Sequence, residues 1–151
     1  MASPPKPKTA RDLPLGQLIV EHDLLSDTTV QRALAQAQAS GRRLGEVLVD
    51  EGLLDDRTLA QLVAEQEELD FIDLGKYDLD TDAVRLLPSR LAWECQAVPF
   101  AFNETAVKVA VADPVDSWAL DLVRTALARP VHFLVATRTE VESALTEAYD
   151  R

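Results

Sequence analysis

The chain has 151 residues, 47% of them hydrophobic, which suffices for one ordinary domain or for two small ones sharing an interface. Its formal net charge of -11, from 26 acidic and 15 basic residues, argues against a broad nucleic-acid or anionic-lipid surface and leaves room only for a small, locally basic anion site. A single cysteine, Cys95, and two histidines, His22 and His132, exclude a disulfide framework and a multi-cysteine zinc site, so no metal is expected.

The first stretch, residues 1–13, is polar, with prolines at 4, 5 and 7, and reads as a disordered tail. Neither it nor anything downstream has the apolar length of a signal peptide or membrane span, so the expected location is cytoplasmic, without direct membrane insertion. From Pro14 the chain repeats itself. Leu15 recurs as Leu44 and Gly16 as Gly45, an ungapped offset of 29 residues that also pairs Val20/Val49, Leu24/Leu53, Leu25/Leu54, Asp27/Asp56 and Thr29/Thr58. Each copy reads as two short helices. In the first, Ser26 caps a helix whose stripe is Val30, Ala33, Leu34 and Ala37, and Ser40-Gly41 breaks the chain. In the second, Gly52 ends one helix and Asp55 caps the next, whose stripe is Leu59, Leu62, Val63 and Gln66. Such short helices persist only by packing on one another, which makes residues 14–68 a helical subdomain.

Beyond residue 68 the pattern changes. LDFIDL (69–74) reads as extended, DTDAVRLL (80–87) as a capped helix stopped by Pro88, and SRLAWEC as a further helical turn or two. QAVPFAF and AVKVAVA alternate like strands around a hairpin at Asn103-Glu104-Thr105. Asp116 or Ser117 opens a helix that Pro130 stops, VHFLVA is a strand, and Thr137 caps a last helix running to Tyr149. The expected fold class is therefore α+β: tandem two-helix repeats, then a small ββαβα sheet-and-helix subdomain over 69–151.

Catalysis has no seat in these residues. There is no GxxxxGK[ST] phosphate loop and no serine or cysteine nucleophile with a histidine base, so the chain itself is not expected to be an enzyme. The chemistry-bearing candidates are Arg42 and Arg43, which stand just before a Leu-Gly at a helix start. A guanidinium and a close-approach glycine there suit a phosphate or the edge of guanine. The same pair also reads as solvated loop cations, with Gly45 a packing glycine and Gln66 a surface residue. In ADPVD (112–116), Asp116 reads as a cap and Asp113 stays open between loop and ligand roles.

The pattern RLGxxLxxxGxLxxxxLxxxVxxQ, from Arg43 to Gln66, resembles the N-terminal MshEN domain of type II secretion and type IV pilus assembly ATPases. The likeness continues through LDFIDL and VADPVD to TRTEVESALTEAY. It implies a non-catalytic regulatory and docking module that precedes a motor ATPase domain in the same chain, with membrane-platform proteins of the machine as partners and peripheral placement at the inner membrane through them. In several members the tandem motif binds cyclic di-GMP, each copy gripping one half of the ligand. Carried over, the second copy supplies Arg43, Leu44, Gly45, Leu48, Leu59 and Gln66, and the first only Leu15 and Gly16. Pro14, Asp23 and Ala37 replace the first copy's arginine, glycine and glutamine.

The leading reading is thus a regulatory domain with a degenerate first half-site and no other cofactor. The alternative is a competent cyclic di-GMP receptor acting mainly through the second copy, assisted by Arg11 or by a residue of the second subdomain such as Asp113. A third, a free-standing adaptor, depends on whether the polypeptide continues past Arg151, where the sequence stops just after a helix.

Overall fold

A computed structural model describes residues 12–112, 114 and 117–149; the expected tail through residue 11, Asp113 and Asp116 lie outside these described residues. The order is α1 (Asp12–Glu21), α2 (Asp27–Ser40), α3 (Leu44–Asp50), α4 (Asp56–Gln66), β1 (Asp70–Phe71), a 3-10 turn at Leu74–Lys76, α5 (Thr81–Val84), α6 (Ser89–Cys95), β2 (Ala97–Phe102), β3 (Val107–Val111), α7 (Ser117–Leu127), β4 (Val131–Val135) and α8 (Arg138–Ala148). The class is α+β, as the sequence implies.

The two helical pairs copy each other bond for bond. The Thr29 N–H donates to Ser26 Oγ at 3.2 Å, and at the equivalent place the Thr58 N–H donates to Asp55 Oδ1 at 2.6 Å, so each second helix has a side-chain cap. Each first helix ends alike. Gly52 is left-handed (φ 72) and Asp23, its counterpart, is forced into the same region (φ 57) without the glycine that relieves it. The following N–H folds back in both, Leu24 onto the Ile19 carbonyl at 3.1 Å and Leu53 onto that of Leu48 at 2.9 Å.

The glycines repeat as well. A Cβ on Gly16 would meet Val30 Cγ1 at 3.0 Å, and one on Gly45 would meet both Leu59 methyls at 3.0 Å, so each glycine lets the second helix of its copy approach the first. A further difference separates the copies. α3 starts at Leu44, whereas α1 starts at Asp12, so Leu15-Gly16 lies one turn inside its helix and the expected boundary at 14 moves to 12. Proline at 14 is compatible with this because a first helical turn has no partner for its N–H groups.

Leu15, Ile19, Val30, Leu34, Ala37, Leu44, Val47, Leu48 and Leu62 form the core of this helical half. The other half is built on a four-stranded sheet of order β1-β4-β3-β2. β2 and β3 are antiparallel across a turn that Asn103 organises, its Oδ1 accepting from the Thr105 and Ala106 N–H groups at 2.8 and 2.9 Å. β3 and β4 are parallel, joined through α7. The LDFIDL segment, read as extended, joins the sheet as a fourth strand, β1, whose Asp70 and Phe71 pair in parallel with Leu134 and Val135; the expected ββαβα order does not place it there. At the opposite edge Pro99 lies in β2, and the Asp80 N–H covers that edge by donating to the Phe100 carbonyl at 3.0 Å.

α4 joins the halves because it is apolar on three sides. Leu62 enters the helical core, Ala60 and Ala64 lie against Val135 of the sheet, and Leu59 and Val63 remain half-buried on a third face. Beside this contact Arg57 makes a two-pronged ion pair with Asp73, its Nη2 at 3.0 Å from Oδ2, and its guanidinium lies 5.2 Å from the centre of the Phe71 ring. The Arg57 hydrogen bond holds the Asp73 carboxyl below its ordinary value of 3.8. A depressed carboxylate contributes stability that is fully present above its unfolded pKa and is lost as pH falls through the lower folded value. Asp73→Asn should therefore lower the melting temperature at neutral pH, with the gap to the wild type closing in a thermal melt as pH falls below the ordinary carboxylate range. A gap independent of pH would assign the effect to packing instead.

Candidate functional site

On the third face of α4 the two halves enclose a cavity of about 420 Å³, within the usual range for small-molecule sites. Leu59, Val63 and Gln66 stand at i, i+4 and i+7, and all three line it. Arg42, Arg43 and Gly45 reach it from the turn into α3, Leu15 from α1, and Ala112, Ala136, Arg138 and Thr139 from the sheet half.

Of the residues expected in a ligand site, Leu15, Arg43, Gly45, Leu59 and Gln66 meet here. Leu44 and Leu48 do not: both side chains are 0% exposed and belong to the helical core, because they occupy the α3 positions that face α1 and α2. Gly16 is likewise buried against Val30, Leu34 and Leu44. Asp113 lies outside the described residues, between Ala112 at the cavity and Pro114. The helix-start argument also weakens, since α3 has only seven residues and so a small dipole. Arg43 is its N-cap residue, with extended backbone and a carbonyl that accepts from the Val47 N–H at 3.2 Å.

The first copy uses the equivalent positions differently. Val30 and Ala37, the counterparts of Leu59 and Gln66, are 2% and 0% exposed, and thus serve as core. Their place opposite the second copy is taken by the sheet half. The sequence suggests this wall only through Asp113 and does not single out Arg138, whose one signal is an arginine directly after the Thr137 cap.

The lining is mixed in charge. Three arginines face four carboxylates, Glu46, Asp50, Asp56 and Glu142. Arg42 is largely spent within α3, paired with Asp50 and donating to the Glu46 carbonyl at 3.4 Å. Asp56 accepts from Thr139 Oγ1 at 3.0 Å, which ties α4 to α8. The site offers an apolar wall, guanidinium groups and an amide, a donor set suited to an anionic, aromatic ligand. Among the described residues, no group of three or more His, Cys, Asp or Glu is placed to hold a metal.

A family model described as the MshEN domain matches residues 67–151, more than half of the sequence. The chain belongs to the MshEN domain family. The match covers the sheet half, whereas the arginine motif lies ahead of it, and comparison with solved structures extends the likeness over both. The structure of MshE with cdg is 30% identical and superposes with a TM-score of 0.82, covering 89% of this chain and 98% of that one. The N-terminal domain of XpsE is 25% identical, with a TM-score of 0.73 over 99% of each chain. Among curated proteins, the type IV pilus assembly ATPase PilB of Thermus thermophilus is 34% identical over 143 residues, 93% of this chain. The MshEN chain spans only 16% of that relative's length. Among its described residues no helix is long and apolar enough to cross a membrane.

Proposed function

We propose that this MshEN domain is a non-catalytic regulatory and docking module of a type IV pilus or type II secretion ATPase, and that its ligand site is reduced to one repeat. The observation that carries the reading is the coincidence of two likenesses: the backbone follows MshE with cdg over 89% of the chain, and the second-copy Arg43, Leu59 and Gln66 converge on one cavity. Cyclic di-GMP would place a guanine on the apolar side chains of α4, with Arg43 reaching its edge or phosphate. At the equivalent positions the first copy has neither cation nor amide: Pro14 and Ala37 stand there.

Counting the repeats alone, each missing charge-assisted contact weakens binding by about 1.5–3 kcal/mol, so a site held only by the second copy should lie two to four orders of magnitude, roughly, below a two-sided one. Calorimetry with cyclic di-GMP tests this. Weak binding that Arg43→Ala lowers by a further tenfold or more, roughly, is the expected result. Submicromolar binding lost in Arg43→Ala would favour the competent-receptor reading, which the cavity itself supports. Heat unaffected by Arg43→Ala would remove the nucleotide from the proposal and leave docking alone.

A further inference from the structure

A half-site leaves one side of a two-fold ligand unheld by the repeats, and the structure shows what stands there. Beyond α4 the cavity wall is made by Ala112, Ala136 and the first turn of α8, where Arg138 and Thr139 lie. The three arginines of the lining are not equivalent. Arg42 is paired with Asp50 of the helix it precedes, and Thr139 is engaged with Asp56. Arg138 is exposed and makes no hydrogen bond or ion pair with any described residue, although it borders a cavity. Its backbone is nevertheless fixed. The Glu140 N–H donates to Thr137 Oγ1 at 3.1 Å, and the Glu140 carboxylate accepts from the Gly75 N–H at 2.8 Å, which pins the start of α8 to the 3-10 turn. An unpaired guanidinium carried on a backbone already held in place has less to order when it takes an anion.

Resting on the nucleotide reading above, we propose that Arg138 is the second cation of the site, lent by the sheet half in place of the first copy, and that it holds a phosphate of a bound cyclic dinucleotide. The resulting site is asymmetric. One base is read by Arg43, Leu59 and Gln66, and the other end of the ligand is held by a phosphate contact, which carries no base information. The ligand class is therefore wider than the symmetric dinucleotide. A mixed cyclic GMP–AMP satisfies the same groups, provided its guanine occupies the repeat side.

Calorimetry on the whole chain with cyclic di-GMP and with cyclic GMP–AMP tests the assignment in the wild type, Arg138→Ala, Arg138→Lys and Arg43→Ala. Arg138→Ala should weaken both ligands about ten- to a hundredfold and leave the melting temperature unchanged. Arg138→Lys should recover part of the loss, and the mixed ligand should bind within about fivefold of the symmetric one. Wild-type affinity in Arg138→Ala, with Arg43→Ala still defective, overturns this inference while leaving the nucleotide reading intact. Rejection of the mixed ligand by about a hundredfold shows that the second base is read and overturns the asymmetry. Absence of binding by the wild type removes both.

Discussion

Leu48→Ala should lower the unfolding free energy by about 2–5 kcal/mol, a large part of the 5–15 kcal/mol typical of a whole domain. The side chain is 0% exposed in the helical core, among residues of α1, α2 and α4, and truncation leaves a void that the close-packed helices cannot fully collapse around. Urea titration followed by two probes makes the test sharper. Both tryptophans, Trp93 and Trp118, belong to the sheet half, so their fluorescence reports that half alone, whereas far-UV circular dichroism reports both. Because Ala60, Ala64 and Val135 bury a shared contact, both midpoints should fall together. A fluorescence midpoint that stays put would mean that the halves unfold separately. Intact stability with weakened nucleotide binding would return Leu48 to the ligand set that the motif suggests.

Val135→Asp should be more damaging still, costing about 3–5 kcal/mol or more, because it leaves an unpaired carboxylate in an apolar joint. Val135 is 0% exposed, pairs with Phe71 on one side and Val111 on the other, and meets Ala60 and Ala64 of α4. The change therefore strikes the sheet and its contact with the repeats at once. Nucleotide binding should vanish with it, since the cavity takes walls from both halves. Arg43→Ala, by contrast, should lose binding while melting normally, and this contrast separates a ligand contact from a support. Thermal melts of the two variants in parallel decide it; equal melting temperatures would show that the joint carries no stability.

Much of the fold was legible because the sequence states it twice. The offset that aligns Leu15 with Leu44 also aligns two caps, two left-handed turns and two close-approach glycines, so local chemistry and repeat agree at every level. Thr137 as a cap and Asn103 as a turn were visible for the same reason: short polar side chains satisfy nearby N–H groups. What stayed hidden depends on distant partners. β1 has only two residues and becomes a strand through β4, and the sheet-facing side of α4 consists of alanines, which carry little periodic signal. The side chains of Leu44 and Leu48, which the motif places at the ligand, pack in the helical core, a distinction that a helix repeat does not carry. The motif does not reach Arg138, because that wall comes from another part of the chain.

The parallel pairing of Asp70 with Leu134 also bears on the order of assembly. Contacts within the helical repeats are local and form quickly, whereas β1 must close a long loop for the small return of a two-residue ladder, so it should dock last. That step brings α4 against the chain just beyond β4, and with it the two sides of the cavity. Binding competence should then appear later than helix formation, and stopped-flow refolding with a fluorescent nucleotide would show the lag; simultaneous appearance would refute the order. A nascent or truncated chain could carry both repeats, caps and arginines included, and still be unable to hold a ligand.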